Sequence, residues 1–342
     1  MKNKNIVTIG GGTGSFTLLS GLKKYPVNIS AIVSMADDGG STGVLRDELG
    51  VLPPGDVRQC LAALSESSDL MRQLFNYRFE SGKLEGHSFG NLFLSALEKI
   101  AGGFQKGVEE AGQILNIKGK VVPVTESDVT LVMKLINGKI LNGEDEINHN
   151  FDIEEIGIQK FFLKPEPKAN PKALESIKEA DAILIGPGNF YCSILPNLLV
   201  KAISIAIKKS KAKIIYICNL VNKKGHTEDF DLDRYAEEVE KYIGKGRIDY
   251  VVYNIEKPNQ KLIKKYLRKS EKLVPFRERA GNKRDYKVVK ANVLSKKIYK
   301  YSKVDSIAAL RAFIRHDSDK LAKAIMFIVD HRENKNIIKE II

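Results

Sequence analysis

The chain has 342 residues, of which 43% are apolar and 28% charged, with three widely spaced cysteines and no tryptophan. This length and composition allow a large core, which excludes bulk disorder, a collagen-like fibre and a disulfide scaffold. Met1 to Gly12 lacks the apolar stretch of a signal peptide, and no apolar run reaches the roughly 18 residues that span a bilayer. We therefore expect a cytoplasmic protein without membrane insertion.

The net charge of +13 is concentrated in one segment. Residues 257–304 carry 17 Lys and Arg against three acidic residues, and the remainder of the chain is close to neutral. Such a segment is either a solvated lysine-rich surface or an electrostatic patch for an anionic partner. No nucleic-acid-binding motif accompanies it, so we expect no nucleic-acid partner.

The N-terminal part opens with the pattern of strand, glycine turn and helix. Asn5–Ile9 is short and β-branched, glycines follow it, and apolar residues then recur at helical spacing. Val27–Ser34 predicts a second strand, and Asp37–Pro54 predicts a long loop rich in Gly and Pro. The next predicted helix runs from Asp56 to Leu64, with Asp56 as its cap. Further helices are predicted at Leu70–Asn76, Phe89–Ile100 and Gly107–Leu115.

The pattern changes at residues 119–165. Val121–Val124, Val129–Ile136 and Gln159–Leu163 are short strand-like runs between turn residues, which predicts a small antiparallel β insertion. Helices and strands then alternate again. The predicted helices are Lys172–Ala180, Leu195–Lys208, Leu232–Tyr242, Ile307–Arg315 and Lys320–Val329, and the predicted strands are Ala182–Ile185, Lys213–Cys218 and Tyr250–Tyr253.

This alternation predicts an α/β, Rossmann-like fold with a mostly parallel sheet, helices on both faces and the small β insertion. We expect residues 1–256 to form a nucleotide-binding domain that carries the insertion at about 119–165. The basic segment and C-terminal helices of residues 257–342 are expected to complete the same domain.

The first candidate site is the glycine turn after the first strand. Glycines let the backbone approach a phosphate, and the N-terminus of the following helix supplies free N–H groups and a positive dipole end. No Lys follows the last glycine, which excludes a Walker P-loop. The alternative is a turn that serves only tight packing. The candidate phosphate ligands here are Gly10, Gly11, Gly12, Thr13, Gly14 and Ser15.

A second candidate site follows the second strand. Its adjacent carboxylates can share a divalent metal, orient a ribose or act as a base, and the structural alternative is an Asx-type turn. Arg46 and Arg58, further along, are fork-shaped donors for a phosphate or carboxylate. The candidates for substrate or metal contact are Asp37, Asp38, Gly39, Gly40, Ser41, Thr42, Arg46 and Arg58, with Asp37 and Asp38 as the candidate Mg²⁺ ligands.

Two later segments also carry polar groups at helix starts. His87 and Asn91 either bind a substrate or serve the local structure by bonding to the backbone. A second glycine turn lies between a buried-type strand and a helix, and it would face the same sheet edge as the first turn. Cys192 has no base beside it in sequence, so we expect no nucleophilic role for it. The candidate phosphate ligands of the second turn are Gly186, Gly188, Asn189 and Ser193.

These segments together resemble a known family. The stretches GGGTG (10–14), ADDGGSTG (36–43), LPPGDVR (52–58), GHSFGNL (86–92) and IGPGNFYCSILPNLLV (185–200) fit, in this order, the gluconeogenesis factor (YvcK) family of the CofD-like superfamily. The resemblance runs from the first strand to about Tyr253, and more loosely to the Arg-His-Asp triplet at 315–317. It departs at Cys192, where the family has Thr, and at residues 221–227, where VNKKGHT replaces an MTQPGET-like stretch.

The resemblance implies a CofD-like domain that binds UDP-sugars, above all UDP-N-acetylglucosamine. It implies a cytoplasmic regulator of growth and cell shape on gluconeogenic carbon sources, linked to cell-wall synthesis, with no established reaction. The alternative is a Mg²⁺-dependent enzyme similar to 2-phospho-L-lactate transferase that acts on a nucleotide-diphosphate-linked donor. We expect no tightly bound cofactor, optional Mg²⁺, cell-wall synthesis proteins or a Ser/Thr kinase as partners, and a homodimer.

The resemblance also extends the candidate site toward the C-terminus. Asn219, just before residues 221–227, is a candidate for substrate contact. Arg315 is a candidate for the diphosphate or a nearby acid, although its triplet is equally compatible with a helix junction. Tyr266 is a weaker candidate that would stack on the base or sugar. Ser318 lies where family members carry a phospho-acceptor, and a phosphate there would compete for Arg315.

Overall fold

A computed structural model of the chain describes residues 3–278, 284–297 and 313–330. Its strands are β1 (Lys4–Gly10), β2 (Val27–Val33), β3 (Lys120–Pro123), β4 (Thr130–Leu135), β5 (Ile140–Asn142), β6 (Ile158–Lys164), β7 (Ala182–Ile185), β8 (Lys213–Ile217), β9 (Tyr250–Asn254) and β10 (Lys287–Ala291). Its α-helices are α1 (Gly12–Leu22), α2 (Gly40–Leu49), α3 (Gly55–Leu64), α4 (Asp69–Asn76), α5 (Phe89–Ala101), α6 (Phe104–Ile114), α7 (Glu144–His149), α8 (Ile153–Ile156), α9 (Pro171–Glu179), α10 (Leu195–Leu199), α11 (Lys201–Lys209), α12 (Leu232–Ile243), α13 (Gln260–Leu267) and α14 (Ser318–Asp330).

The main sheet has seven strands in the order β10-β9-β8-β7-β1-β2-β3, and every neighbouring pair is parallel. All four residues of β7 are buried, as expected for a strand covered on both faces. One group of helices packs α1 against α3 and α14, and another packs α11 against α9 and α12. The predicted α/β class with a mostly parallel sheet is confirmed.

The small sheet consists of β5, β4 and β6, which pair antiparallel, so the predicted β insertion is confirmed. The prediction for its first strand was wrong. Residues 120–123 form β3, which pairs parallel with β2 at the edge of the main sheet. The reason is burial: three of its four residues lie in the core, as in the other parallel strands.

Two predicted elements between the strands differ from the structure. The expected loop Asp37–Pro54 contains the helix α2, although Gly40 and Gly43 lower its helix propensity. A Cβ at Gly43 would lie 2.1 Å from the carbonyl oxygen of Asp38, so close backbone packing requires this glycine. The single helix expected at Leu195–Lys208 is broken at Val200, whose backbone is extended.

A five-residue π-helical turn, Phe190–Ile194, leads into α10. Within the described ranges, no single helix is both long and apolar enough to cross a membrane. The bent pair Phe190–Leu199 and Lys201–Lys209, with an angle of 80°, meets the criterion by length and composition alone.

The C-terminal part contributes to both the sheet and the helical layer. Within the basic segment, α13 and β10 were not predicted, and β10 extends the main sheet beside β9. The predicted helix Lys320–Val329 corresponds to α14, which packs on α1 so closely that a Cβ at Gly21 would lie 2.0 Å from the carbonyl oxygen of Ser318. The predicted helix at 307–315 lies mostly outside the described residues, and 313–315 are not helical.

Candidate functional site

A cavity of about 680 Å³ lies where the carboxyl ends of β2, β1, β7 and β8 meet, and we call it the sheet-edge cavity. Its lining comes mainly from the segments that directly follow these four strands, from α3, α5 and α7, and from α13 and the residues before α14. Ligands of open α/β sheets bind at this edge, and the volume lies within the usual range for small-molecule sites. The cavity therefore has the position and size of a ligand site.

The two glycine turns touch each other at the centre of this cavity. A Cβ at Gly14 would lie 2.0 Å from the carbonyl oxygen of Pro187, so the turns approach this closely only because residue 14 is glycine. Gly12 has a φ of +61°, which favours glycine on backbone grounds. The first turn of α1 contains no acidic residue. The expected meeting of the turns at one sheet edge is thus borne out.

The structure divides the predicted phosphate ligands into two groups. Those that line the cavity are Gly11, Gly12, Thr13, Gly14, Gly188, Asn189 and Ser193. Gly10, Ser15 and Gly186 lie behind the turns and do not line it. Ser15 is buried, and its hydroxyl would lie 2.8 Å from a Cβ at Gly10, so these two residues serve the packing of the turn.

Four carboxylates line the cavity on the side of β2: Asp37, Asp56, Glu144 and Asp145. Burial raises the pKa of Asp56 to about 7, and the neighbouring Asp37 adds to the shift, while the Gly12 N–H opposes it. Burial, and then Asp37, raise the pKa of Glu144 to about 8. Burial also raises the pKa of Asp37, against hydrogen bonds from Gly39 and Thr42. This side of the cavity therefore favours protons or cations.

Asp56 and Glu144 were missed as site residues. Asp56 does not cap α3, whose N-cap is Pro54, and it lies in the first turn of that helix. Its carboxylate accepts a hydrogen bond from the N–H of Gly12 instead. The LPPGDVR stretch was the available signal for Asp56. Glu144 had no local signal, because it begins α7 in the insertion, far along the chain from the other two acids.

Asp38 does not share the position of Asp37. Its two carboxylate oxygens accept hydrogen bonds from the backbone N–H groups of Glu144 (3.2 Å) and Asp145 (2.8 Å) at the start of α7, and it does not line the cavity. Of the expected metal pair, therefore, only Asp37 lines the cavity, with Asp56 as its neighbour, and the metal site stays a prediction. Among the described residues, no group of three or more His, Cys, Asp or Glu side chains is arranged to hold a metal ion.

A hydrogen-bonded chain joins three of the sequence motifs. The buried Arg58 donates from Nε to Asn91 Oδ1 (3.0 Å) and from Nη1 to Asn76 Oδ1 (2.7 Å). Asn91 Nδ2 donates to Ser41 Oγ (3.2 Å), and Ser41 Oγ lies 3.0 Å from His87 Nδ1. Arg58, Asn91 and Ser41 line the cavity, whereas His87 stands behind Ser41 and does not.

Among the other predicted contacts of this region, Gly39, Gly40 and Thr42 line the cavity. Arg46 does not. Its Nη2 donates to Asp128 Oδ1 (2.6 Å) and to the Val129 carbonyl (3.0 Å), and its Nη1 donates to the Asp37 carbonyl (3.1 Å). The guanidinium therefore ties the start of the small sheet to the segment after β2, which corrects the expected ligand role.

The second glycine turn and the segment after β8 also line the cavity. Asn219 Nδ2 donates to the Gly188 carbonyl (3.0 Å), and its buried Oδ1 has no partner within the described part of the chain. Lys223 Nζ donates to the carbonyl (2.6 Å) and side chain of Asn148. Burial raises the pKa of the Cys192 thiol well above its usual range, so that thiol is not a ready nucleophile.

The C-terminal candidates have different roles. Arg315 and Tyr266 line the cavity. The Tyr266 hydroxyl accepts hydrogen bonds from the backbone N–H groups of Phe313 (2.6 Å) and Ile314 (3.1 Å), so it holds the chain that carries Arg315 in place. Ser318 begins α14 and does not line the cavity. The phosphorylation expected at Ser318 stays a prediction.

Comparison with known proteins agrees with these motifs. A family model described as 2-phospho-L-lactate transferase CofD matches residues 6–294. A protein from Halalkalibacterium halodurans named gluconeogenesis factor is 39% identical over 330 residues, which cover 95% of this chain and 97% of that protein. A Bacillus subtilis protein of the same name is 39% identical over 325 residues, which cover 94% and 96%.

The fold has a solved counterpart as well. A crystal structure of a member of the UPF0052 family from Bacillus halodurans matches with a TM-score of 0.83 and 37% sequence identity, covering 95% of this chain and 99% of that one. The family model and the relatives each span most of the chain. The chain thus belongs to the CofD family and, within it, to the gluconeogenesis factors.

Proposed function

We propose that this protein binds a nucleoside diphosphate sugar in the sheet-edge cavity, with UDP-N-acetylglucosamine as the leading candidate. It then acts as a ligand-dependent regulator of growth and cell shape on gluconeogenic carbon sources, rather than as an enzyme. The observation that supports this most is the contact between two glycine turns at the N-terminus of α1, inside one cavity. Such a turn offers backbone N–H groups to a pyrophosphate without a Cβ in the way.

The strand order gives the ligand a direction along the cavity. In Rossmann-like sites, an acid at the end of the second strand binds the ribose of the nucleoside. Asp37 follows β2 and faces the cavity, so the ribose is assigned to that side. The pyrophosphate then lies at the turns after β1 and β7, and the sugar extends toward the segment after β8.

A pyrophosphate beside Asp37, Asp56, Glu144 and Asp145 requires protons or a cation. Mg²⁺ is usually held by one or two carboxylates together with substrate phosphates. Asp37 and Asp56 fit this role, because both line the cavity and because neither forms a salt bridge with a side chain within the described residues. When bound, the ion would neutralise charge on the pyrophosphate. Ligand binding is thus expected without a tightly bound cofactor.

A second candidate function is a Mg²⁺-dependent transfer reaction on a nucleotide-linked donor, similar to that of 2-phospho-L-lactate transferase. The description of the matched family model and the pair Asp37 and Asp56 favour it. The unreactive Cys192 thiol removes only a covalent mechanism through this residue. A metal-assisted transfer needs no such nucleophile, so the two candidates are separated by experiment.

The proposal includes a cytoplasmic location, cell-wall synthesis proteins or a Ser/Thr kinase as partners, and a homodimer. The name of the curated relatives, gluconeogenesis factor, supports the link to carbon metabolism. A deletion strain tests the regulatory role. Its growth is compared on gluconeogenic and glycolytic carbon sources, and its cell shape is followed by microscopy. A shape and growth defect on both kinds of carbon source would contradict the regulatory role.

The ligand is tested by a thermal-shift panel with and without Mg²⁺. It contains UDP-N-acetylglucosamine, UDP-glucose, GDP, NAD and the deazaflavin precursor. A ligand at about 100 times its Kd adds about 2.7 kcal/mol to the free energy of unfolding. We expect the UDP-sugars to stabilise the protein most. Stabilisation only by GDP and the deazaflavin precursor, with turnover in the presence of Mg²⁺, would favour the transferase.

The two adjacent acids are expected to respond differently to neutralisation. An asparagine amide has only one acceptor oxygen, so Asp38→Asn leaves one N–H at the start of α7 without its acceptor. It should lower the stability by about 1 kcal/mol and leave the affinity for UDP-N-acetylglucosamine unchanged. Asp37→Asn should weaken that affinity and reduce its Mg²⁺ dependence. Urea unfolding and calorimetry measure both. Equal effects of the two variants on affinity would place Asp38 in the site after all.

Arg315 is expected to contribute directly to ligand affinity. Arg315→Ala should weaken UDP-N-acetylglucosamine binding by roughly 1.5–3 kcal/mol, because a hydrogen bond to a charged group is lost. Ser318→Glu should weaken binding less, and the effect should shrink with salt. Arg72→Ala on α4, outside the cavity lining, serves as the matched control. If Arg315→Ala binds as the control does in calorimetry, the C-terminal segment is structural only.

A further inference from the structure

Two side chains of the sheet-edge cavity carry hydrogen-bond acceptors that no protein group satisfies. Asn219 Oδ1 and His316 Nε2 are both buried, and neither has a hydrogen-bond partner within the described part of the chain. Both residues line the cavity. Buried polar atoms without partners are uncommon in folded proteins, and leaving one unsatisfied is unfavourable. At the wall of a cavity, such atoms indicate a ligand that supplies the donor.

The orientation of the Asn219 amide is determined by its other end. Its Nδ2 donates to the Gly188 carbonyl at 3.0 Å. Exchanging the oxygen and nitrogen of the amide would bring two acceptor oxygens together, so Oδ1 is the end without a partner. Asn219 follows β8 by two residues, at the edge of the sheet where ligands of parallel sheets bind. The amide therefore presents an acceptor at this edge.

The imidazole of His316 has the same arrangement. The ring hydrogen-bonds to the Cys218 carbonyl, and because Nε2 has no partner, this bond belongs to Nδ1. Burial lowers the pKa of His316 to about 4, although the bond to Cys218 opposes the shift, so the ring is neutral near pH 7. In a neutral ring whose Nδ1–H donates, Nε2 can only accept.

Backbone contacts place the two acceptors on the same part of the cavity wall. His316 bonds to the carbonyl of Cys218, the residue directly before Asn219. The segment that carries His316 is itself held by the chain after β10: His316 forms an isolated bridge with Leu294, and the Asp317 N–H donates to the Val293 carbonyl at 2.7 Å. The pair is therefore built into the wall from two distant parts of the chain.

We propose that Asn219 Oδ1 and His316 Nε2 select the ligand by accepting hydrogen bonds from its O–H or N–H groups. The inference rests on the proposed function, in which the sugar extends toward the segment after β8, so the donors are assigned to hydroxyl groups of the sugar. Two acceptors side by side repel the oxygens of a phosphate or a carboxylate. The part of the ligand at this wall is therefore uncharged and rich in donors, as N-acetylglucosamine is.

The test removes one donor of the ligand at a time. Calorimetry with the full chain measures the Kd of UDP-N-acetylglucosamine and of analogues that each lack one hydroxyl group of the sugar. Two further analogues, one without a ribose hydroxyl and one methylated at the base N–H, cover a ligand that binds in the opposite direction. Removing a donor that meets a buried acceptor should weaken binding about tenfold to hundredfold. The analogue with this loss identifies the donor.

The variant His316→Asn links this loss to one acceptor. An asparagine amide can still donate to the Cys218 carbonyl, as Nδ1 does, but it has no atom at the position of Nε2. The analogue that loses tenfold or more against the parent protein should lose about threefold or less against this variant. His149→Asn is the matched control, because His149 Nδ1 also lies 2.8 Å from a backbone carbonyl, that of Asp145, and His149 does not line the cavity. It should keep the full discrimination.

Asn219→Leu tests the second acceptor in the same way. Leucine has a similar size and no polar atom, so the variant should also discriminate less between the ligand and the analogue. Because the bond to Gly188 is lost as well, circular dichroism and the midpoint of thermal unfolding check that the variant is folded. If it is not folded, the result with His316→Asn decides alone.

The remaining outcomes have distinct meanings. If UDP-N-acetylglucosamine binds and every analogue loses the same factor with His316→Asn as with the parent protein, the proposed function stands and the role of the acceptors is overturned. If the donor linked to His316 belongs to the ribose or the base, the acceptors are confirmed and the ligand lies in the opposite direction. If UDP-N-acetylglucosamine does not bind at all, the proposed function itself fails, and the inference fails with it.

Discussion

Replacing Gly14 with alanine is expected to abolish nucleotide binding and to destabilise the fold by about 3 kcal/mol. The added Cβ would lie 2.0 Å from the carbonyl oxygen and 2.5 Å from the carbonyl carbon of Pro187. Both atoms belong to backbone, so the clash cannot be relieved by rotating a side chain. The two glycine turns must separate, and the phosphate cradle between them is lost. Urea unfolding and calorimetry with UDP-N-acetylglucosamine, at a temperature where the variant is folded, measure both effects.

Gly103→Ala is the control for this substitution. Gly103 precedes α6 with a φ of 161°, which is extended backbone, and no atom lies within 4 Å of its Cβ position. The change should cost no more than about 1 kcal/mol and leave binding intact. Full nucleotide affinity in a folded Gly14→Ala variant would show that the contact between the turns is dispensable for the ligand.

The affinity for UDP-N-acetylglucosamine is expected to increase as the pH falls through the range set by Glu144 and Asp56. In the ligand-free protein these groups have pKa values of about 8 and about 7, raised mainly by burial and by Asp37. A pyrophosphate beside them raises these pKa values further, so binding takes up protons and weakens above this range. Each linked proton changes the affinity by up to about tenfold per pH unit. Calorimetry without divalent cations, at a series of pH values, gives the slope.

The same acids make the stability of the ligand-free protein depend on pH. Their folded pKa values lie above the ordinary values of 3.8 and 4.5, so the folded state binds more protons than the unfolded state between these limits. The free energy of unfolding should therefore decrease as the pH rises from these ordinary values to about 7 and 8, and it should level off above that range. Other charges around the acids, including Asp38 and Arg58, shift the pH range of this decrease in stability but do not turn it into an increase.

Glu144→Gln separates the binding effect from general changes with pH. The variant is neutral at this position at every pH, so its affinity should vary less steeply and should exceed that of the parent at high pH. Glu146→Gln, on the exposed side of the same helix, should keep the slope of the parent. An affinity of the parent that does not depend on pH would contradict a pyrophosphate site next to Asp56 and Glu144.

The sequence predicted the sheet well because its strands are short, β-branched and buried. The AILI stretch of β7, for instance, is buried at every position, and only a strand covered on both faces presents such a run. The helix α2 could not be predicted, because Gly40 and Gly43 disfavour a helix locally. The reason for Gly43 is its contact with the Asp38 carbonyl, which appears only in three dimensions.

The candidate site was predictable where the residue types of a motif by themselves indicate the ligand that they bind. The glycine turns and Asp37 were found because their residue types suit a phosphate or a ribose on any parallel sheet. Asp38 was assigned wrongly beside Asp37, because neighbours in sequence were assumed to act together, whereas its carboxylate caps α7. Asp56 and Glu144 reach the site only through tertiary packing, so their positions in the sequence did not indicate that they line the cavity.

The charged residues of the C-terminal part illustrate a further limit. Lys265 and Lys269 were part of a basic segment for which a solvated surface was one interpretation. Composition gives the total charge of a segment, but it does not say which side chains face a cavity. The structure selects these two from the other lysines of the segment, because α13 directs them toward the same opening as Lys223.

A crystal structure of the protein with UDP-N-acetylglucosamine would locate the ligand. We expect the pyrophosphate at the N-terminus of α1, within hydrogen-bonding distance of the backbone N–H groups of Thr13 and Gly14. We also expect the ribose beside Asp37 and the sugar on the side of Lys223. A ligand bound outside the sheet-edge cavity, or with its pyrophosphate away from the two glycine turns, would show that the two turns do not form the binding site.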